Sequence, residues 1–284
     1  MMKFIISFLS LYILIINAHA NEFSKSGAPI TGKCWKEPKT GMEFVWVPKG
    51  CFMMGSHSGS TDEGPIHKVC LDGFWIGKYE VTVRQWKKII KEELVFDTIG
   101  DFPEERTPWR EHAKKRPKFN SGDNYPIVGV SWKHAKGFIS KLNQEHQVKF
   151  RLPTEAQWEY AARSGGKDEK YAGGSNINDF AWYLSNSKYK THPVGTKAPN
   201  GLDIFDMSGN VSEWCEDRYD RHAYLKYVSK NPVMLFHGST RVYRGGNWST
   251  SAENTRVTKR DYNGYVFYDG RIGFRVCFSP PLQK

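Results

Sequence analysis

The chain has 284 residues and carries 41 Lys and Arg against 30 Asp and Glu, a formal charge of +11. The basic residues are scattered through segments such as KKIIKEE and EHAKKRPK, interleaved with glutamate and unaccompanied by any recognition motif, so they are expected to be solvated surface and nucleic acid is excluded as a partner. Hydrophobic content is ordinary at 39%, but 14% aromatics, 26 Gly and 14 Pro point to a core of large rings held between irregular segments.

The chain opens MMKFIISFLSLYILIINAHA, with Lys3, an apolar run from Phe4 to Ile16, and Ala18 and Ala20 around His19. This is the order of a secretory signal peptide cleaved after Ala20. The run is short for a membrane span, and no other stretch approaches the roughly twenty apolar residues such a span needs. The mature protein is expected to be exported, to a bacterial periplasm, without a membrane-spanning segment. Residues 21–39 read as an N-terminal extension and residues 40–284 as a single domain. All five cysteines, Cys34, Cys51, Cys70, Cys215 and Cys277, lie in the mature chain, where an oxidising compartment favours disulfides and the odd number leaves one thiol over.

From Gly41 to Tyr79 the chain reads as short antiparallel strands, MEFVWVP, CFMMGS and HKVCLDGFWIGKYEV, around the polar loop SHSGSTDEGP. Cys51 and Cys70 sit on the two arms of that excursion, where a disulfide can close its base. Three helices follow. Thr82 with Gln85, and Thr154 with Gln157, make capping boxes that satisfy orphan amides at two helix starts, the second helix stopping at Gly165 and Gly166. Between them, Trp132, Ala135, Phe138, Ile139 and Leu142 recur at helical spacing. Beyond Ala172 no helical period is visible, and long loops join short strands such as RVYRGG and IGFRVCF.

Two stretches could carry chemistry. In DMSGNVSEWCEDRYD, Asp206 and Glu213 could supply carboxylates, and Gly209 and Val211 carbonyls, to a hard cation such as calcium. The alternative is a hydrogen-bonded turn in which Asp206 caps amides and Glu213 pairs with an arginine. In RGGNWSTSAENTR, residues 244–256, the two glycines permit close backbone approach and Trp248 supplies a wall. Glu253 is the carboxylate there that could act as a general base if desolvated, with Arg256 beside it. The alternative is an ion pair of Glu253 with Arg256 or Arg275 that only holds the loop. HExxH, CxxC, GxSxG and phosphate-loop patterns are absent.

The ordered segments GKYEVTVRQW, YPIVGVSW, RLPTEAQWEYAAR, HPVGTKAPNGLDIFDMSGNVSEWCED, RVYRGGNW and GRIGFRVC resemble the formylglycine-generating enzyme, or sulfatase-modifying factor, family over roughly residues 40–278. The resemblance implies an α+β fold of low regular content related to C-type lectin domains. It implies structural calcium on groups matching Asp206, Gly209, Val211 and Glu213, and bridges of Cys51 with Cys70 and of Cys215 with Cys277, leaving Cys34 over. In the formylglycine generators two cysteines bind copper at the positions of Thr250 and Thr255. Hydroxyls are poor ligands for cuprous ion, so neither copper nor formylglycine generation is expected. The resemblance leaves two functional classes. One is a periplasmic maturation enzyme or accessory factor acting on a peptide-linked substrate or partner protein, with Trp248, Glu253 and Arg256 lining a pocket. The other is a noncatalytic, calcium-dependent, lectin-like binding module for a protein or glycan.

Overall fold

The computed structural model describes residues 34–90, 122–236 and 238–280. The expected signal peptide at 1–20 lies outside the described residues, as does most of the 21–39 extension.

In chain order, β1 (Cys34–Lys36), β2 (Glu43–Val47), β3 (Gly50–Met54), β4 (His67–Leu71) and β5 (Phe74–Gly77) precede the helices α1 (Val83–Ile89), α2 (Trp132–Gln144), α3 (Glu155–Ala162) and the single turn α4 (Ile177–Phe180). Then come β6 (Ser212–Arg218), the short α5 (Ala223–Lys226), β7 (Thr240–Arg244), β8 (Arg260–Gly264), β9 (Ile272–Gly273) and β10 (Cys277–Phe278). One sheet has the order β1-β2-β5-β10, so the first and last described strands share it; β3 and β4 form a hairpin, and the other sheet is β8-β7-β6-β9 with β6 and β9 parallel. This is the α+β architecture of short elements joined by long loops.

Both capping boxes form. Thr82 Oγ1 accepts the Gln85 amide at 3.3 Å while Gln85 Oε1 accepts the Thr82 amide at 3.0 Å, and Thr154 and Gln157 do the same at 3.2 Å in each direction. The chain leaves α3 through Ser164, Gly165 and Gly166, all at positive φ, which is the stop that the glycines supply. The predicted face of α2 is buried at Ala135, Phe138, Ile139 and Leu142, with Phe138 stacked on Trp86 at 5.4 Å. Trp86 and Trp158 are core residues; Trp132 is half-buried and donates Nε1 to the Cys215 carbonyl at 2.9 Å.

Two readings of the sequence are corrected here. IGFRVCF is not one strand: Ile272–Gly273 pairs in parallel with β6 while Cys277–Phe278 pairs antiparallel with β5. Residues 274–276 cross between the sheets, with Val276 and Phe274 carbonyls accepting the Gly77 and Val81 amides. The second correction concerns the cysteines. Cys51 and Cys70 face each other in the β3–β4 register and are bonded, but Cys215 and Cys277 are both buried and free, and Cys34 is exposed and free. The Cys277 sulfur is engaged by Arg151 Nη1 at 3.0 Å, and the Cys215 sulfur lies 3.9 Å from the Glu213 carbonyl.

Candidate functional site

β7 delivers Arg244 into the interior, where it is fully enclosed. Nη1 donates to Glu155 at 2.6 Å and to Tyr224 at 3.2 Å, and Nη2 donates to Glu159 at 2.5 Å and to the Val257 carbonyl at 2.7 Å. One guanidinium thus ties α3 to both ends of the 244–256 loop. The turn that follows requires glycine. Gly246 has φ +66°, and a Cβ there would lie 2.8 Å from Asn254 O and from Thr250 Oγ1; Gly245, at φ +95°, lies against the Trp158 ring.

That closeness places Thr250 and Thr255 side by side, their hydroxyl oxygens 3.2 Å apart. Each hydroxyl proton is committed to a carbonyl: Thr250 donates to Asn247 O at 2.9 Å and Thr255 to Ser251 O at 2.8 Å, while Thr250 also accepts the Asn247 amide. No base is in contact with either oxygen through these bonds, so the pair is a joint between two turns rather than a nucleophile.

Two candidates from the sequence are corrected. Glu253 is not desolvated: its side chain is 61% exposed, and it meets Arg256 Nε at 2.7 Å and Lys170 at 4.0 Å. An exposed carboxylate lacks the burial that tunes a general base to neutral pH. The other side of Arg256 is held by Glu63, through Nη1 at 2.7 Å and Nη2 at 3.0 Å. Burial opposes ionisation of Glu63, but the Arg256 hydrogen bond, the Ser60 amide and the Arg256 charge outweigh it and hold the carboxyl at about 2. Trp248 is half-buried, with its indole Nε1 on the Gly270 carbonyl at 3.3 Å and its own carbonyl accepting from Ser187 Oγ at 2.6 Å. Just before Gly270 runs an exposed apolar segment, Tyr265, Val266, Phe267 and Tyr268.

The 206–213 loop turns through positive φ at Asp206, Gly209 and Asn210, and a Cβ on Gly209 would stand 2.4 Å from Trp182 O. Parts of both sequence readings are present. Asp206 Oδ2 accepts the Gly195 amide at 2.7 Å. Glu213 takes Arg275 Nε and Nη2 at 2.6 Å each and Trp158 Nε1 at 2.8 Å. Yet Asp206 Oδ1 is buried with no partner, and so is Oε2 of Glu80, a residue that the sequence reading passed over. Burial raises Asp206 to about 6, against the Gly195 amide and Arg275, and burial with the Asp206 charge drives Glu80 well above the ordinary carboxylate range.

The orphaned Asp206 oxygen and the hard oxygen donors of the loop suit a calcium ion. No group of three or more His, Cys, Asp or Glu side chains among the described residues is arranged to hold a metal, so an ion here must also take backbone carbonyls such as those of Gly209 and Val211. Glu80 lies 126 positions before Asp206, and Arg275 and Trp158 stand 62 and 55 positions from Glu213. No local pattern connects them; the hint available was a glutamate two residues before the Thr82 cap in GKYEVT.

The chain matches the Sulfatase-modifying factor enzyme 1-like domain over residues 31–279. It is 30% identical over 242 residues to serine/threonine-protein kinase pkn1 of Chlamydia caviae, covering 83% of this chain but 38% of that protein, so it spans well under half the length of this relative. It is 29% identical over 255 residues to chaperone protein LppX of Paenibacillus barcinonensis, covering 78% and 85% of the two chains. Among solved structures, PvdO from Pseudomonas aeruginosa superposes with a TM-score of 0.73 at 28% identity over 89% of this chain and 100% of the other. With the family domain matched over residues 31–279, the chain belongs to the sulfatase-modifying factor family.

Proposed function

We propose that this chain is an exported accessory factor of the family, one that engages a partner protein or a peptide-linked substrate and does not itself generate formylglycine. The observation that carries this reading is the state of the 244–256 loop. Its two threonine hydroxyls and Arg256 are taken by structural bonds, Arg244 is tied through Nη1 and Nη2 to α3, Tyr224 and Val257, and Glu253 is solvated. Three supports stand beside it: the hydroxyls of Thr250 and Thr255 at the family's thiol positions, the exposed apolar segment 265–268 beside Trp248, which suits contact with another chain, and the relative named as a chaperone protein. Calcium is proposed as a structural ion of the 206–213 loop, taking Asp206 and the Gly209 and Val211 carbonyls; Glu213, the fourth ligand expected from the sequence, is already paired with Arg275. Export rests on the N-terminal twenty residues.

The test is a cuprous-ion titration of the mature protein against a chromogenic chelator, beside a T250C/T255C double variant. Wild type should leave the metal with the chelator, while the double variant, with two thiols facing each other, should withdraw it. Withdrawal by wild type, abolished by changing Thr250 or Thr255, would overturn the reading.

A further inference from the structure

Four arginines of this protein are spent on buried carboxylates: Arg244 and Arg260 on Glu155, Arg256 on Glu63, and Arg275 on Glu213. Arg218 and Arg241 are not. The β6–β7 register jumps between Trp214 and Arg218, and this irregularity sets Arg218 directly opposite Arg241. Like charges facing each other across strands repel, and among the described residues neither arginine is ion-paired. Glu216 is taken by Lys136, both oxygens at 2.9 Å, and Asp217 is turned inward to the Glu155 and Met234 amides.

The two guanidiniums are committed in the same way. Arg218 gives Nη1 to the Gly238 carbonyl, and Arg241 gives Nη1 to the Glu216 carbonyl at 2.8 Å. Each keeps its Nε and Nη2 edge, the edge that takes a carboxylate side-on through two parallel bonds. Arg218 Nε is buried with no acceptor among the described residues. Arg241 is held by Trp132, its guanidinium carbon 3.8 Å from the ring centroid, and Trp132 is itself anchored by its bond to the Cys215 carbonyl. Burial, and after it the Arg218 charge, press Arg241 below the ordinary guanidinium pKa. A negative group set between the two would relieve the repulsion and satisfy the orphaned donor.

The surroundings indicate what carries that negative group. The Arg218 amide donates to the Met234 carbonyl, the Tyr265 amide to the Ser239 carbonyl, and the Lys133 amide to the Tyr265 carbonyl. Two exposed apolar stretches therefore border the arginines: Leu235 and Phe236, 46% and 73% exposed, and Tyr265, Val266 and Phe267. Arginine with aromatic side chains is the composition of a protein-binding surface. A small free anion would make no use of the apolar flanks.

We propose that Arg218 and Arg241 form a carboxylate-binding site, and that its occupant is an acidic segment of a partner protein whose apolar side chains lie on Phe236 and on residues 265–267. This rests on the accessory reading above and names the face and the chemistry of the contact: an aspartate or glutamate on the arginine edges, with apolar neighbours on either side.

The test is fluorescence anisotropy on the mature protein, with a labelled peptide in which aspartate alternates with phenylalanine and leucine, beside the same peptide carrying asparagine for aspartate. Wild type should bind the acidic peptide saturably, more weakly as salt rises, and should not bind the asparagine peptide. R218Q and R241Q, each verified as folded by circular dichroism, should bind about tenfold more weakly, and F236A, changed at an exposed position, should also lose affinity. Should R241Q fail to fold, R241K keeps the charge and should still bind more weakly, since an ammonium cannot offer two parallel bonds. Arginine variants that bind like wild type, equal binding of the two peptides, or a wild type that binds neither overturns the site. Displacement of the peptide by inorganic phosphate, with F236A binding as wild type does, reduces it to a site for a small free anion and overturns the protein segment as its occupant. The accessory reading stands or falls separately, on the cuprous-ion titration above.

Discussion

At the scale of single residues, the two glutamates near Arg256 behave oppositely because of where they sit. Glu63 is enclosed and takes both ends of the guanidinium, whereas Glu253 reaches the same arginine from solvent. Glu253→Ala should change stability by less than about 0.5 kcal/mol, within the range of an exposed pair. Glu63→Gln should cost roughly 2 kcal/mol at pH 7, allowing for solvent screening on the Glu253 side. The pH dependence has a definite sign. Glu63 sits at about 2 in the folded chain, below its unfolded value of about 4.3, so its stabilisation is complete above about pH 5 and is lost as pH falls through 4 toward 2. Urea midpoints for wild type and E63Q, measured from pH 7 to pH 3, should converge as the pH drops. A constant gap between the two would contradict this account of Glu63.

At the scale of elements, what the sequence displayed was local chemistry. The Thr82–Gln85 and Thr154–Gln157 boxes form as written because a capping box needs only four consecutive residues. The alternating segment around Cys51 and Cys70 became a hairpin with its disulfide. β6 was hidden, since SEWCEDR lacks alternation: its residues are buried at Ser212, Glu213, Trp214 and Cys215 in succession, enclosed on both faces, and so it read as part of a loop. β9 and β10 were hidden in another way, by a crossover that no periodicity encodes. The same reasoning gives two expectations. Gly246→Ala should destabilise by about 2 kcal/mol or more, because it combines a strained φ with contacts below 3 Å to Asn254 O and Thr250 Oγ1; a shift in thermal midpoint indistinguishable from zero would refute that. Opening the Cys51–Cys70 bridge, which spans a sequence separation of 19, should cost about 3 kcal/mol. Alkylation of the unreduced, unfolded protein should label Cys34, Cys215 and Cys277, whereas labelling of Cys34 alone would restore the Cys215–Cys277 bridge.

At the scale of the whole molecule, the functional regions are made by long-range closure. Arg244 fastens α3 to the 244–256 loop, Arg256 fastens that loop to Glu63, and Arg275 fastens Glu213 to the turn after β5. The family pattern was legible because it is written in short ordered segments, and the positions of Thr250 and Thr255 followed from counting beyond Trp248. The Glu253–Arg256 pair was offered by the sequence as an alternative and forms, and an arginine was expected on Glu213, but that it is Arg275, and that Glu63 holds the other side of Arg256, depends on which of several charged residues the fold brings closest. The buried pair of Glu80 and Asp206 was invisible for the same reason. The resulting picture is of a family scaffold whose central loop has become a structural joint. The most direct measurement is to incubate the mature protein, supplied with cuprous ion and oxygen, with a cysteine-containing sulfatase-type peptide, and to follow the peptide by mass spectrometry for conversion of its thiol to an aldehyde. The account predicts no conversion above a protein-free control; an aldehyde formed with multiple turnovers, and lost on changing Thr250 or Thr255, would contradict it.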